Sequence, residues 1–242
     1  MKKLILSAAA VLLISLVSSA QVTKKTLELP EFKSIYNNSN YTVYLKQTNK
    51  QEVVVEALTD IYELTSIIVE NGVLMVNVER KPDNPNKSVW SKIDDIKLNP
   101  TMKVYVSVKN LTDLQVNGNG KIISENSLAA TVLTLSVSGA GSMDLDVKGD
   151  IIKADVSGSG KIALKGYATS IDANLSGSGD LNAFTCPLDN AKIKVSGSGD
   201  CEVNVTNSIE AVVLGSGTIK HKGNTKSTTK KVYGSGSIDR AY

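Results

Sequence analysis

Asp180 and Asp200 each stand directly after a glycine-x-glycine tripeptide. If the chain returns to the same place once per tripeptide, these carboxylates become neighbours about 4.8 Å apart. Two carboxylates at close range could trap a cation. In a cleft that separates their pKa values, they could also act as acid and base on a glycosidic bond. The corresponding places in adjacent repeats hold Lys161 and Thr218, so neutralisation by lysine in solvent accounts for the pair equally well. Ser157-Gly158-Ser159-Gly160-Lys161 has the look of a P-loop fragment. Ile162, however, stands where Ser or Thr should hold magnesium, and no helix follows to favour a phosphate. His221 is the only histidine, and a metal site or a Ser-His-Asp arrangement would have to be built on it alone. We expect it to be a cap residue, and we expect no catalytic residue, metal ligand or cofactor site.

One residue remains a candidate contact. Trp90, the single tryptophan, lies in Asn86-Lys87-Ser88-Val89-Trp90-Ser91-Lys92, inside a polar stretch from Arg80 to Pro100 that carries Pro82, Pro85 and Pro100. Such a stretch reads as a loop projecting from a repeat scaffold, and aromatic side chains on loops are enriched at contact surfaces. Trp90 is therefore the expected binding residue, with a place in the core or a cover over an open end of the helix as the alternatives.

The elements that position these residues follow from a repeat. Glycine-x-glycine recurs seven times, with first glycines at Gly118, Gly139, Gly158, Gly177, Gly197, Gly215 and Gly234, in steps of 18 to 21 residues. A period near 20 is that of a solenoid, in which each repeat packs on its neighbours. Val116, Val137, Val156, Leu175, Val195, Val213 and Val232 stand two places before these glycines. Apolar residues alternate with polar ones on both sides of each tripeptide, the period-2 signal of half-buried strands. Each repeat reads as strand, glycine corner, strand and polar return, such as Lys165-Gly166-Tyr167. The predicted fold is all-β: a right-handed parallel β-helix with rungs of about 19–21 residues and a less regular N-terminal part. The corner glycines should need a backbone that other residues avoid. On that reading, valine at Gly177 or Gly197 should harm stability more than valine at Gly166, a return position.

Composition agrees, because 41% of residues are hydrophobic but only 5% aromatic, which suits narrow ladders of Val, Ile, Leu and Ala. Residues 1–20 read as a secretory signal: Lys2 and Lys3, an apolar run from Leu4 to Val17, then Ser18-Ser19-Ala20 before Gln21. That run is too short to span a bilayer comfortably, no later segment qualifies, and no cysteine follows it to take a lipid. Removing Lys2 and Lys3 leaves 25 basic against 24 acidic residues, a net charge of +1 instead of +3. This balance gives no reason to expect nucleic acid or an anionic membrane as a partner. Residues 21–110 alternate too, for example in Tyr41-Thr42-Val43-Tyr44-Leu45, but lack the corners. They are expected to form irregular β turns that cap the regular rungs of 111–242, all in one domain; a separate small β domain is the alternative. Cys186, before Pro187 in a return turn, and Cys201, on the inward ladder, occupy different places in their rungs, so two free thiols are expected.

Glu31-Phe32-Lys33-Ser34-Ile35, the strand from Tyr41 to Leu45, Asn71-Gly72-Val73-Leu74 and the serial Val-Ser-Gly-Ser-Gly repeats together resemble the head GIN domain family. The resemblance covers roughly residues 32–224. It implies a right-handed β-helix on an exported protein of the kind labelled putative auto-transporter adhesin, and it brings no catalytic residues. No membrane barrel is expected after the repeats. The expected role is an exported, non-catalytic adhesin or structural module of the cell envelope, with carbohydrate or an envelope protein as partner. The alternative is a carbohydrate-active lyase or hydrolase using outward carboxylates.

Overall fold

Alternating apolar residues govern the chain from its first strands. The computed structural model describes residues 22–79 and 101–241. Before the regular repeats come β1 (Val22–Leu27), β2 (Ser34–Asn38), β3 (Thr42–Gln47), β4 (Glu52–Leu58), one helical turn α1 (Thr59–Tyr62), β5 (Thr65–Glu70), β6 (Val73–Val78), β7 (Met102–Val108), β8 (Asp113–Gly118) and β9 (Lys121–Ser124). The repeats follow as β10 (Leu128–Gly139), β11 (Ser142–Gly158), β12 (Lys161–Gly177), β13 (Asp180–Gly197), β14 (Asp200–Gly215), β15 (Thr218–Lys222), β16 (Ser227–Gly234) and β17 (Ser237–Arg240). They wind into a β-solenoid of about seven turns.

The seven first glycines are register partners in a single column. Inward columns flank them, as in Val116–Val137–Val156–Leu175–Val195–Val213. Every residue of that column is essentially buried, and so are Met143, Ile162, Leu181, Cys201 and Ile219 on the far side of the corner. Like stacks on like because parallel, in-register strands repeat each inward position about 4.8 Å further along the axis.

Stacking order departs from chain order at the N-terminal side. β2 lies between β6 and β8, and β3 between β7 and β9, all four pairings parallel. The turn made by β2 and β3 is thus an interior turn, with a later turn added on each side of it. The detour runs through antiparallel pairings of β4 with β1 and β7, and through the β5–β6 hairpin. Asn71 and Gly72 supply that hairpin with φ of 51° and 77°, the left-handed pair that a two-residue β-turn requires.

The β2–β3 corner does without glycine. Asn37 takes the inward place of Val116 and is fully buried. Its Nδ2 donates to the carbonyls of Tyr41 (2.7 Å) and Lys121 (3.4 Å), and its Oδ1 accepts from Ser39 Oγ (2.7 Å). An amide side chain therefore does here what the tripeptide does in later turns. Outside the corner, Asn77, Asn38 and Asn117 form an amide ladder with links of 2.9 and 2.6 Å.

Two expectations need correction. Gly166 is no ordinary return position: its φ is +98°, and a Cβ there would run into the carbonyl oxygen of Val147. The return is as tightly stacked as the corner, so the predicted contrast between Gly166 and the corner glycines does not hold. Cys186 also does not sit in a return turn but within β13. The register shifts between Ala183 and Pro187, and this irregularity turns Cys186 into the core, where it is fully buried. Both Cys186 and Cys201 are free.

The glycines separate backbone conformation from crowding. Gly118 and Gly177 both have positive φ, +110° and +107°, but a Cβ at Gly118 meets nothing within 4 Å, whereas one at Gly177 sits 2.6 Å from Gly158 O. Gly118→Ala should cost about 1–3 kcal/mol for conformation alone, while Gly177→Ala and Gly166→Ala should each cost more. Urea midpoints of the three variants measure this, and equal losses at 118 and 177 would show that stacking distance is unimportant. The thiols give a second check. Burial, and then the Asp146 charge, pushes Cys186 up to about 11. Burial, followed by Glu202 and Asp200, pushes Cys201 higher still. Iodoacetamide at mildly alkaline pH should label neither in the folded protein and both after unfolding; rapid labelling of native Cys186 would contradict its burial.

Candidate functional site

Alternation that sends Ile152, Ile171, Ala191 and Ile209 inward sends their neighbours out to one face. Two outward columns result, Ile151–Ser170–Asn190–Ser208–Ser227 and Lys153–Asp172–Lys192–Glu210–Thr229. They line a shallow open groove of about 440 Å³ that crosses five turns. Asn190 Oδ1 accepts from Ser208 Oγ (2.6 Å) and Asn207 Nδ2 (2.9 Å). This fixes the amide and leaves its NH₂ without a protein partner among the described residues. Lys153, Asp172, Lys192 and Glu210 alternate in sign, yet none closes an ion pair within 4 Å among the described residues. The groove is close to neutral, floored by Ile171, Ala191 and Ile209 and flanked by the two columns; Ser170 Oγ already donates to the Asp150 carbonyl at 3.4 Å.

The acidic pair lies elsewhere. Lys161 Nζ is 3.6 Å from Asp180 Oδ2, and the Asp200 backbone N–H donates to Asp180 Oδ1 at 3.3 Å. Lysine and the backbone hold Asp180, in keeping with the solvated reading of these carboxylates. One column further, Asn182 Nδ2 donates to Glu202 Oε2 (2.7 Å), and Lys220 approaches Glu202 at 3.8 Å. Among the described residues no group of three or more His, Cys, Asp or Glu could hold a metal ion. Burial raises the carboxyl of Asp113, but its register neighbours are Ser34 and Thr134. At the P-loop-like corner, the N–H groups of Ser159 and Lys161 already donate to Gly139 and Gly141.

His221 sits in the inward column after Val203, and its ring is only 4% exposed. Neither ring nitrogen has a hydrogen-bond partner among the described residues. A buried polar group without a partner costs about 1–3 kcal/mol, so this position is more than a neutral filler. Trp90 and the 80–100 loop lie outside the described residues, as do residues 1–20. Sequence reasoning missed the groove because Ser170, Asn190, Ser208 and Ser227 are individually unremarkable surface residues that gain meaning only as a column.

The architecture is that of an all-β solenoid carrying an outer groove lined by polar and apolar columns. The chain belongs to the family described as putative auto-transporter adhesin, head GIN domain, whose model matches residues 31–225. Its fold is similar to that of a putative adhesin from Bacteroides fragilis NCTC 9343, with a TM-score of 0.81, 22% identity, and coverage of 92% of this chain and 98% of that one. A putative adhesin from Parabacteroides distasonis ATCC 8503 has a TM-score of 0.72 at 22% identity, covering 92% and 98%. A structure from the same organism described as a putative lipid binding protein has a TM-score of 0.72 at 23% identity, covering 91% and 97%. At such identities the likeness establishes the fold. Among curated proteins, none matches this chain.

His221 makes stability depend on pH. Burial first, then the charges of Lys230 and Arg240, lowers its pKa below the ordinary 6.5. The folded state thus binds the proton less readily than the unfolded chain. This contribution is complete above 6.5 and is lost as pH falls from 6.5 towards the lowered folded value. Melting temperature should fall over that window in the native protein and fall less in His221→Leu. Parallel pH profiles for the two proteins would refute the assignment.

Proposed function

We propose that this protein is an exported, non-catalytic binding module of the cell envelope, and that its outer groove takes an extended, hydroxyl-rich chain such as a glycan. The single observation that carries the reading is the pair of outward columns. Each turn offers one small polar group and one longer polar or charged one, except that Ile151 opens the first column. Five turns span roughly 19 Å along the axis, at about 4.8 Å per turn. A ligand with hydrogen-bonding groups at regular intervals can meet such a face turn by turn. Alternating signs work against a polyanion or a polycation, since each favourable contact is followed by a repulsive one.

Export is supported by the pattern of residues 1–20 and by the adhesin-like family. No helix among the described residues is long and apolar enough to cross a membrane. The non-catalytic reading is supported by the lysine and backbone contacts that already occupy Asp180. The carboxylate-based alternative is separated by its products: incubation with polysaccharides should release neither new reducing ends nor unsaturated sugars.

A glycan-binding screen on the mature chain is the direct test. Asn190→Ala should weaken binding of a captured glycan by roughly five- to tenfold, as expected for a fixed hydrogen-bonding amide. Its stability should fall by no more than about 1–2 kcal/mol, since part-buried Asn190 gives up the two hydrogen bonds it accepts from Ser208 and Asn207. Unchanged binding in Asn190→Ala and Lys192→Ala would remove the groove from the proposal.

A further inference from the structure

We propose that the C-terminal mouth of the solenoid is an oxyanion-binding site, built to take a phosphate group. In the last turn, register places Thr228, Lys230 and Val232 of β16 over Ile209, Ala211 and Val213, and Arg240 of β17 over His221. Two columns that are hydrocarbon for most of the solenoid therefore end on basic side chains. One passes through Leu135, Ala154, Ala173, Ile193 and Ala211 before Lys230. The other passes through Ala183 and Val203 before His221 and Arg240.

These groups converge on a cavity of about 250 Å³ lined by His221, Thr225, Thr228, Lys230 and Arg240. Among the described residues no carboxylate lines it. Asp239, the nearest acid in sequence, belongs to the outward column with Lys220 and accepts from Ser237 Oγ at 2.6 Å. The bases are held over the mouth by backbone carbonyls: Lys230 Nζ donates to Ile238 O (3.0 Å) and Arg240 Nη2 to Gly223 O (3.4 Å). Each keeps further donors, because an ammonium has three and a guanidinium five. Beneath them lies His221, only 4% exposed, with both ring nitrogens unpartnered among the described residues. An oxyanion supplies what all three groups lack: an acceptor for the imidazole N–H and a counter-charge between the two cations.

A polar end is also what keeps a solenoid from recruiting another copy. That requirement accounts for basic residues on the last turn. It does not account for a buried, partnerless histidine in the turn below. The outer groove uses the opposite face of β16, through Ser227 and Thr229, so the two sites can be tested separately.

The single histidine makes the test direct, since its ring resonances report on the cavity without assignment ambiguity. Below pH 6.5, inorganic phosphate should shift the His221 ring signals saturably and raise the pH at which the ring titrates; chloride at equal ionic strength should do neither. Lys230→Gln and Arg240→Gln should each weaken phosphate binding about tenfold, in line with loss of a charge-assisted hydrogen bond. Asn190→Ala should leave it unchanged. Co-sedimentation with phosphatidylglycerol vesicles but not phosphatidylcholine vesicles, competed by phosphate, would assign the phosphate to a lipid headgroup. Phosphate binding without vesicle binding would assign it to a free or soluble phosphate. No saturable shift in the native protein, or native phosphate affinity retained in both basic-residue variants, would overturn the site.

Discussion

Each regular turn of this solenoid rests on the turn before it through backbone contacts at the glycine corner. Ser159, Ser178, Ser198 and Ser216 donate their N–H groups to Gly139, Gly158, Gly177 and Gly197 at 2.8 to 2.9 Å. On the other side of the corner, Lys161, Asp180 and Thr218 donate to Gly141, Gly160 and Gly199 at 2.9 to 3.2 Å. From Gly139 onward a Cβ on the first glycine would run into a neighbouring carbonyl, so the absence of side chains lets the corner keep the hydrogen-bonded spacing of the strands. With that distance fixed, strands on both sides of the corner pair in register. Inward residues become columns, and so do outward ones. The groove on the outer face is thus a consequence of the same constraint as the core.

A core built this way has little need for large rings. Each inward position faces its own copy one turn above and below, so a residue must fit a gap set by backbone spacing. Valine, isoleucine, leucine and alanine do so repeatedly. Aromatic side chains gather instead where the turns are irregular: Phe32 and Tyr41 are buried near β2 and β3. Tyr44 and Tyr105 stack at 5.2 Å on the outer face of neighbouring turns. These rings serve places where the repeat itself does not dictate the contact.

The regular turns were legible because their signal is local and repeated: a glycine pair and flanking valines at a near-constant step. Stacking of β2 between β6 and β8 was not legible, since period-2 alternation says which residues face inward and nothing about which strands are neighbours. Asn37 escaped notice because a lone asparagine in a strand carries no mark of burial until its corner is seen. Gly166 was misjudged for a related reason. Its neighbours Lys165 and Tyr167 suggest a relaxed polar return, while the need for glycine comes from Val147 in the previous turn. The acidic column was legible, because Lys161 and Asp180 share a repeat position that the sequence prints directly. The groove was not, because its chemistry belongs to five turns at once.

The two ends of the solenoid solve one problem in different ways, and the difference bears on function. An exposed parallel edge offers unpaired backbone groups to any passing strand. At the N-terminal side, β4 packs antiparallel against β7, and β1 against β4, with Lys24 3.4 Å from Glu56 across that pair. At the C-terminal side no described strand lies beyond β16 and β17; β16 is exposed along its length, with Tyr233 62% exposed. Protection there falls to charge, through Lys230, Lys231 and Arg240. Charge that only deterred pairing could point outward and leave the interior apolar. Placing Lys230 and Arg240 on inward columns, above a histidine with no partner among the described residues, spends stability at the end that no described strand covers. Functional sites are where such local inconsistency is expected to survive.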